Sequence, residues 1–228
     1  MIVVIGSPIH AQGDAPGDAR AVGVAAAIAM AAAADGADVQ LVGRVGDDRA
    51  GDALLLALTA RGVRHTAMIR DAGRATRRAA LPVPDEGEPL VPLGSPDEDQ
   101  GQPSARRLDP DVGGAAPTVD AGDLSLALGY LVDPRVVVVA EPLADDGAAV
   151  VAEAAAFADA TLVAVVEREG SLPAAYQRAT VLAAPADDAD GAFARLVGRF
   201  AAALDAGSSG GEAFALARGA DGWEMSGA

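Results

Sequence analysis

Four apolar residues in a row, Ile2 to Ile5, open the chain and stop at Gly6, Ser7 and Pro8, which predicts a short buried strand. His10 to Arg20 carries Gly, Asp and Pro at close intervals and reads as a loop. Ala21 to Ala34 is almost entirely Ala, the best helix former, and Gly36 stands where such a helix would stop. Val39 to Val42 predicts a second strand, followed by a turn from Gly43 to Asp48. Arg49 to Arg61 places Leu54, Leu55 and Leu58 on one helical face, with Gly62 as the stop.

The pattern then loosens. Arg64 to Arg70, Thr76 to Val83 and Leu90 to Leu93 alternate weakly and are broken by Pro82, Pro84, Pro89 and Pro92, as short edge strands are. Residues 94–119 hold an acidic cluster, four prolines and Gly113-Gly114, and read as a long flexible loop. From Asp120 a regular rhythm returns. Asp120 or Asp123 caps a helix to Tyr130, and Arg135 to Ala140 is a strand with four consecutive valines, buried on both faces. Gly147 to Ala158 is a helix, Thr161 to Val166 a strand, Leu172 to Arg178 a short helix and Thr180 to Leu182 a strand. Asp187 to Ala206 is helical, and Glu212 to Arg218 fits a helix or a strand. Strands alternating with helices of this length predict an α/β fold, a mostly parallel sheet covered on both sides. Residues 1–228 read as one domain, with a small edge or lid element around 64–93.

Composition narrows the chemistry. The 228 residues are 51% hydrophobic and only 3% aromatic, so the core must be Ala, Val and Leu packed closely. There is no Cys, Lys or Asn, which excludes a disulfide framework, a Cys-zinc site, a catalytic thiol, a Schiff-base lysine and a P-loop lysine. The net charge of −16 opposes binding to nucleic acid, whose affinity comes largely from basic residues neutralising phosphates. The Ala21–Ala34 run follows Asp14 and Asp18 rather than a basic segment and is too short to span a bilayer, so the expectation is a cytoplasmic protein with no membrane partner. Asp109, Asp111 and Asp120 loosely mimic calcium-loop spacing, but Gly113, Pro110 and Pro117 interrupt it, and no metal site is assigned.

One segment is more specific than its surroundings. It runs Gly36-Ala37-Asp38-Val39-Gln40-Leu41-Val42-Gly43-Arg44-Val45-Gly46-Asp47-Asp48-Arg49-Ala50-Gly51, with Gly62-Val63 a helix later. It resembles the N-terminal signature of the ribokinase-like carbohydrate kinases, the PfkB family, in which an Ala-rich helix, a strand, Gly-x-x-Gly-Asp-Asp-x-x-Gly and a helix ending in Gly-Val follow one another. On the residues themselves, Gly43 and Gly46 allow a sharp turn at the strand end, Asp47 or Asp48 caps the next helix, and Gly51 lets that helix approach the sheet. The resemblance implies a three-layer α-β-α sandwich with reduced lid strands, a shortened member of the family. It also implies magnesium-ATP as cofactor, a small-molecule ligand, and a homodimer formed through the lid.

The family's catalytic signature, Gly-Ala-Gly-Asp at a helix start, supplies an anion hole of backbone N–H groups and an Asp base. Its closest match is Asp187-Asp188-Ala189-Asp190-Gly191-Ala192-Phe193, which makes Gly191 and Ala192 the anion hole and Asp190 or Asp188 the base. The same aspartates also read as helix caps facing the dipole. A competing alignment sets Pro185 to Gly198 against an earlier Pro-Asn-Glu segment and Arg218 to Gly222 against a nucleotide-side turn. The first keeps the helix spacing after Phe200 and is preferred. On the substrate side, the family's Gly-Gly-x-x-x-Asn falls on Val22-Gly23 and Ala27, Glu141 ends the substrate-facing strand, and His10 lies just past the first strand, as an acceptor-facing group or a loop histidine. The signature is degenerate: one Gly of the hole is missing, the Asp precedes Gly191, and without Asn the family's Asn-x-x-Glu motif cannot exist. Two functions therefore stand, a kinase-fold protein whose phosphoryl transfer is weak or lost, and an active ATP-dependent kinase of a sugar or nucleoside.

Overall fold

The computed structural model describes residues 1–12, 19–79, 118–167, 172–185, 188 and 191–220. The elements are β1 (Ile2–Ile5), β2 (Ile9–Gln12), β3 (Ala19–Val22), α1 (Val24–Ala34), β4 (Val39–Gly46), α2 (Arg49–Ala60), β5 (Val63–Arg64) and β6 (Met68–Asp71). They continue as α3 (Ala121–Tyr130), β7 (Val136–Val139), α4 (Asp145–Phe157), β8 (Thr161–Glu167), β9 (Thr180–Ala184), α5 (Ala192–Asp205) and α6 (Gly210–Ala220). The main sheet runs β5-β4-β1-β7-β8-β9, with β6 also on β4, and every pairing in it is parallel.

Strand alternation sorts the core into two layers. Ile2, Val4, Leu41, Val136 and Val138 face α1, α2, α5 and α6, while Val3, Ile5, Val42, Val137 and Val139 face α3 and α4. This is the α-β-α sandwich that the apolar runs predict. The first layer is thin because its helices are built of Ala and Gly. A Cβ on Gly198 of α5 would lie 2.5 Å from the Ile28 carbonyl oxygen and 2.7 Å from Ala31 Cβ of α1, so the two backbones touch.

Several expectations are corrected. The stretch read as a loop from His10 to Arg20 contains β2 and β3, which pair as an antiparallel hairpin, and α1 starts only at Val24. These strands are four residues long with one face on the core, too short to alternate visibly. The turn expected at Gly43 to Asp48 is strand as far as Gly46. Gly43 and Gly46 are there for close approach rather than for turning: a Cβ on Gly43 would lie 2.5 Å from the Gly6 carbonyl oxygen, and one on Gly46 would collide with the backbone of Arg74 to Thr76. The helix expected from Leu172 is one 3₁₀ turn, Ala174–Tyr176, and that expected from Asp187 begins at Ala192. The ambiguous Glu212–Arg218 is helix, within α6. The edge strands expected between residues 80 and 93, most of the loop 94–119, Asp109 and Asp111 lie outside the described residues. Among the described residues no helix is long and apolar enough to cross a membrane.

Two substitutions test this packing. Gly198→Val forces α5 away from α1 and should lower stability by about 1–3 kcal/mol, seen as a reduced denaturation midpoint. Tyr176 sits in the α3–α4 layer with its hydroxyl buried and without a partner among the described residues, and burial pushes its pKa up to about 12. A buried donor without an acceptor is a net loss, so Tyr176→Phe should leave the midpoint unchanged or raise stability by about 1 kcal/mol.

Candidate functional site

In an open parallel sheet the ligand crevice lies outside the carboxyl ends of the strands, where the chain's winding reverses. Here that point is between β1 and β7, because β4 and β7 flank β1 on opposite sides. β1 ends at Gly6 and Ser7, and β7 at Ala140 and Glu141. A Cβ on Gly6 would lie 2.7 Å from Ala25 Cβ and 3.5 Å from Glu141 Cγ, so the start of α1 meets the same spot. Gly23, the residue before α1, has φ of 94° and its α-carbon faces Ile9 of β2. The structure thus gathers the neighbourhoods of Gly23, His10 and Glu141, while Ala27 lies in the first turn of α1, its N–H donating to the Gly23 carbonyl at 2.9 Å.

The Glu141 carboxylate is partly buried and bonded within the chain. Its Oε1 accepts from the Ser7 backbone N–H at 3.0 Å and from the Ser7 hydroxyl at 3.1 Å, and its Oε2 lies 3.5 Å from Arg77. This carboxylate ties β1, β7 and the Thr76–Ala79 segment together. That segment is itself stitched to β2: the His10 N–H donates to the Arg77 carbonyl at 2.9 Å and the Ala79 N–H to the His10 carbonyl at 2.8 Å.

A second carboxylate organises the signature turn. Asp48 is the N-cap of α2, accepting from the Gly51 N–H at 2.8 Å, and it also accepts from the Thr76 N–H at 3.1 Å and hydroxyl at 2.7 Å. Burial works against its charge, but the Thr76 and Gly51 bonds prevail and hold its pKa below the ordinary value. Gly51 is required here, since a Cβ would collide with the Gly46 carbonyl. Asp47, the other cap candidate, instead pairs with Arg70 at 3.0 Å.

A third carboxylate sits at α5. Gly191 precedes the helix in a left-handed conformation, φ 68°, that suits only glycine well, and Ala192 is the first helical residue. Asp188 Oδ1 accepts from the Phe193 N–H at 2.8 Å and Oδ2 from the Ala194 N–H at 3.2 Å. These are orphan donors of the helix's first turn, and the capping role the sequence offers for Asp188 is the one its geometry takes. Asp205 at the end of α5 pairs with the Met1 ammonium, just before β1, at 2.8 Å, so the start of α5 lies toward the carboxyl edge of the sheet. Asp190, the other base candidate, and Asp187 lie outside the described residues.

His10 is buried, with Arg78 and Asp48 the charged groups near it. Its pKa is lowered, first by burial and next by Arg78, with Asp48 opposing. The sequence singles out His10 and Glu141 but not the partners of Glu141. Ser7 and Arg77 reach it from 134 and 64 residues away, and no local pattern announces such a meeting.

A doubly wound parallel sheet with helices on both faces, a glycine-rich strand–helix joint and a helix N-terminus at its carboxyl edge defines an α/β sandwich of the doubly wound class. Residues 18–222 match the model of the pfkB family carbohydrate kinases, and the chain belongs to that family. Its 228 residues fit the expectation of a shortened member. No curated protein sequence matches it. Among solved structures it is similar to Sa239, with a TM-score of 0.66 and 14% identity over 96% of this chain and 92% of that one. It is similar to the ribokinase of Arabidopsis thaliana, solved with ribose and ATP, with a TM-score of 0.59 and 15% identity over 96% and 90%. A protein from E. coli assigned as a ribokinase II, solved with ATP and magnesium, gives a TM-score of 0.60 and 13% identity over 96% and 91%. At these identities the likeness is one of fold.

The sign of the His10 effect follows from its lowered pKa. The fold favours neutral imidazole, so this contribution is complete above the ordinary value of 6.5 and is lost as pH falls below it. Between about pH 7 and about pH 5, wild type should lose more stability than His10→Gln, measured by denaturant unfolding at each pH.

Proposed function

We propose that this chain keeps the carbohydrate-kinase scaffold as a binding or assembly protein, with phosphoryl transfer weak or lost. The observation that carries this reading is the Asp188 carboxylate seated on the Phe193 and Ala194 N–H groups. An anion hole works by offering such donors to charge that develops on the migrating group. At α5 two are spent on a fixed internal anion, which also repels an incoming phosphate. Removing even one such donor typically costs about 10²–10³ in rate. The crevice at the switch point supports the same reading, since Ser7, Glu141 and Arg77 close on one another across it. The Glu141 contacts to Ser7 and Arg77, and the Asp188 contacts to the start of α5, count against magnesium-ATP being held here as in a working kinase.

The test is isothermal titration with magnesium-ATP, followed by a phosphoryl-transfer screen over sugars and nucleosides. The expected result is no turnover above background on any acceptor. Steady ATP turnover coupled to a phosphorylated sugar or nucleoside would establish the rival reading, an active kinase that uses Asp190 or Asp188 as base.

A further inference from the structure

At the opposite end of the sheet, where the strands begin, α3 and α4 run side by side and finish together. Tyr130 ends α3 and is 78% exposed, Val132 follows it at 75%, and Phe157 ends α4 at 95%. The whole chain has seven aromatic residues, four Phe, two Tyr and one Trp, so placing two of them in water at one spot is not a by-product of composition. Exposed aromatics grouped on one surface mark contact sites, because rigid rings give large buried area at small entropic cost.

The electrostatics of this end say what kind of contact. Asp133, Glu153 and Asp159 stand beside these side chains, and none has a side-chain partner among the described residues. Both helices also deliver their negative dipole ends here, and neither has a basic residue in its last turn. Between the starts of β7 and β8 lies a depression of about 230 Å³ with Asp133 and Asp159 on its wall. Among the described residues Arg135 is the one cation lining it, and a Cβ on Gly207, beyond α5, would lie 3.7 Å from its guanidinium. The balance is negative, on a chain that already carries −16. A second copy would bring the same charges to the same place, which disfavours self-association.

We propose that the exposed ends of α3 and α4 form a docking surface for a basic, apolar segment of another protein. A Lys or Arg of the partner enters the depression between Asp133 and Asp159, and its apolar neighbours cover Tyr130, Val132 and Phe157. The rings attract cations through their faces as well as burying apolar area. This surface lies at the far end of the sheet from the crevice, so the proposal stands or falls independently of the kinase question.

The probe is a fluorescein-labelled synthetic peptide alternating Arg with Trp and Leu, with a counterpart in which every Arg is Glu. Anisotropy titration should show saturable binding of the Arg peptide and none of the Glu peptide. The double variant Tyr130→Ser/Phe157→Ser keeps the net charge, so it separates this site from general attraction to an acidic protein. It should weaken binding at least about tenfold, while Leu56→Ser, an exposed apolar residue on α2, should leave it unchanged. Because both rings are in solvent, the double variant should fold normally, and hydrogen exchange on wild type should show peptide protection confined to the last turns of α3 and α4. Equal binding by wild type and the double variant would overturn the proposal. So would a wild-type dimer that the double variant converts to monomer, since the occupant would then be a second copy.

Discussion

The contact of α5 with α1 sets the position of everything on the carboxyl edge of the sheet. Gly198 rests on the Ile28 carbonyl, and the Ala residues around both allow no side chain to separate the two backbones. A core this poor in aromatics cannot be filled by bulk, so it is filled by bringing main chains together. That closeness carries the start of α5, with Asp188 and Phe193, toward β1 and β7. The same economy of side chains shows in the front half, where several glycines are fixed by contact. Gly43 lies against Gly6, and Gly46 and Gly51 against the Arg74–Thr76 segment and each other.

On that scaffold, carboxylates of the chain itself occupy clusters of hydrogen-bond donors. Glu141 takes the Ser7 N–H and hydroxyl, Asp48 takes those of Thr76 with the Gly51 N–H, and Asp188 takes the first turn of α5. Donor clusters at a strand end or helix start are places where a fold of this kind can hold a ligand oxyanion. Filled from within, they contribute to stability instead, because each removes a donor or acceptor that burial would otherwise leave unmet. The same bonds serve as ties between elements distant in sequence, and Thr76–Ala79 is held by two of them. On the proposed reading, a site with its own anions in place has exchanged readiness for a ligand for a fixed geometry.

How far the amino-acid sequence carried depended on whether each signal was local. The buried strands β1 and β7 were readable because an unbroken run of Ile and Val suits a strand covered on both faces and little else. Asp120 and Asp48 were readable as caps because a cap acts within three residues. Gly43 and Gly46 were misread because glycine serves both turning and close approach, and only the neighbour tells which. The β2–β3 hairpin was missed because its strands are short and the linker between them has the same Gly, Asp and Pro content as any loop. The helix read from Asp187 begins instead at Ala192, because Asp188 turns its carboxylate onto the N–H groups of Phe193 and Ala194 from several residues before the helix. The Ser7–Glu141–Arg77 meeting had no sequence signal at all, since topology alone brings those residues together. The exposed rings of Tyr130 and Phe157 gave none either, since only the packing shows which helical face is left in water.

The two ends of the sheet satisfy some of their carboxylates differently, although at the end where the strands begin Asp205 also pairs with the Met1 ammonium at 2.8 Å and Asp38 with Arg64. At the carboxyl edge, Asp48, Glu141 and Asp188 are all bonded to the chain. At the opposite end, Asp133, Glu153 and Asp159 have no side-chain partner among the described residues and stand beside two aromatic rings in solvent. Surface carboxylates alone mean only solubility, and a scattered exposed ring means little. Their coincidence with two helix C-termini is harder to attribute to chance, because each feature independently raises the affinity of the same place for a cation carried on an apolar stem. On the two proposals above, a family fold whose carboxyl edge is bonded to itself in this way would hold another macromolecule at its far edge.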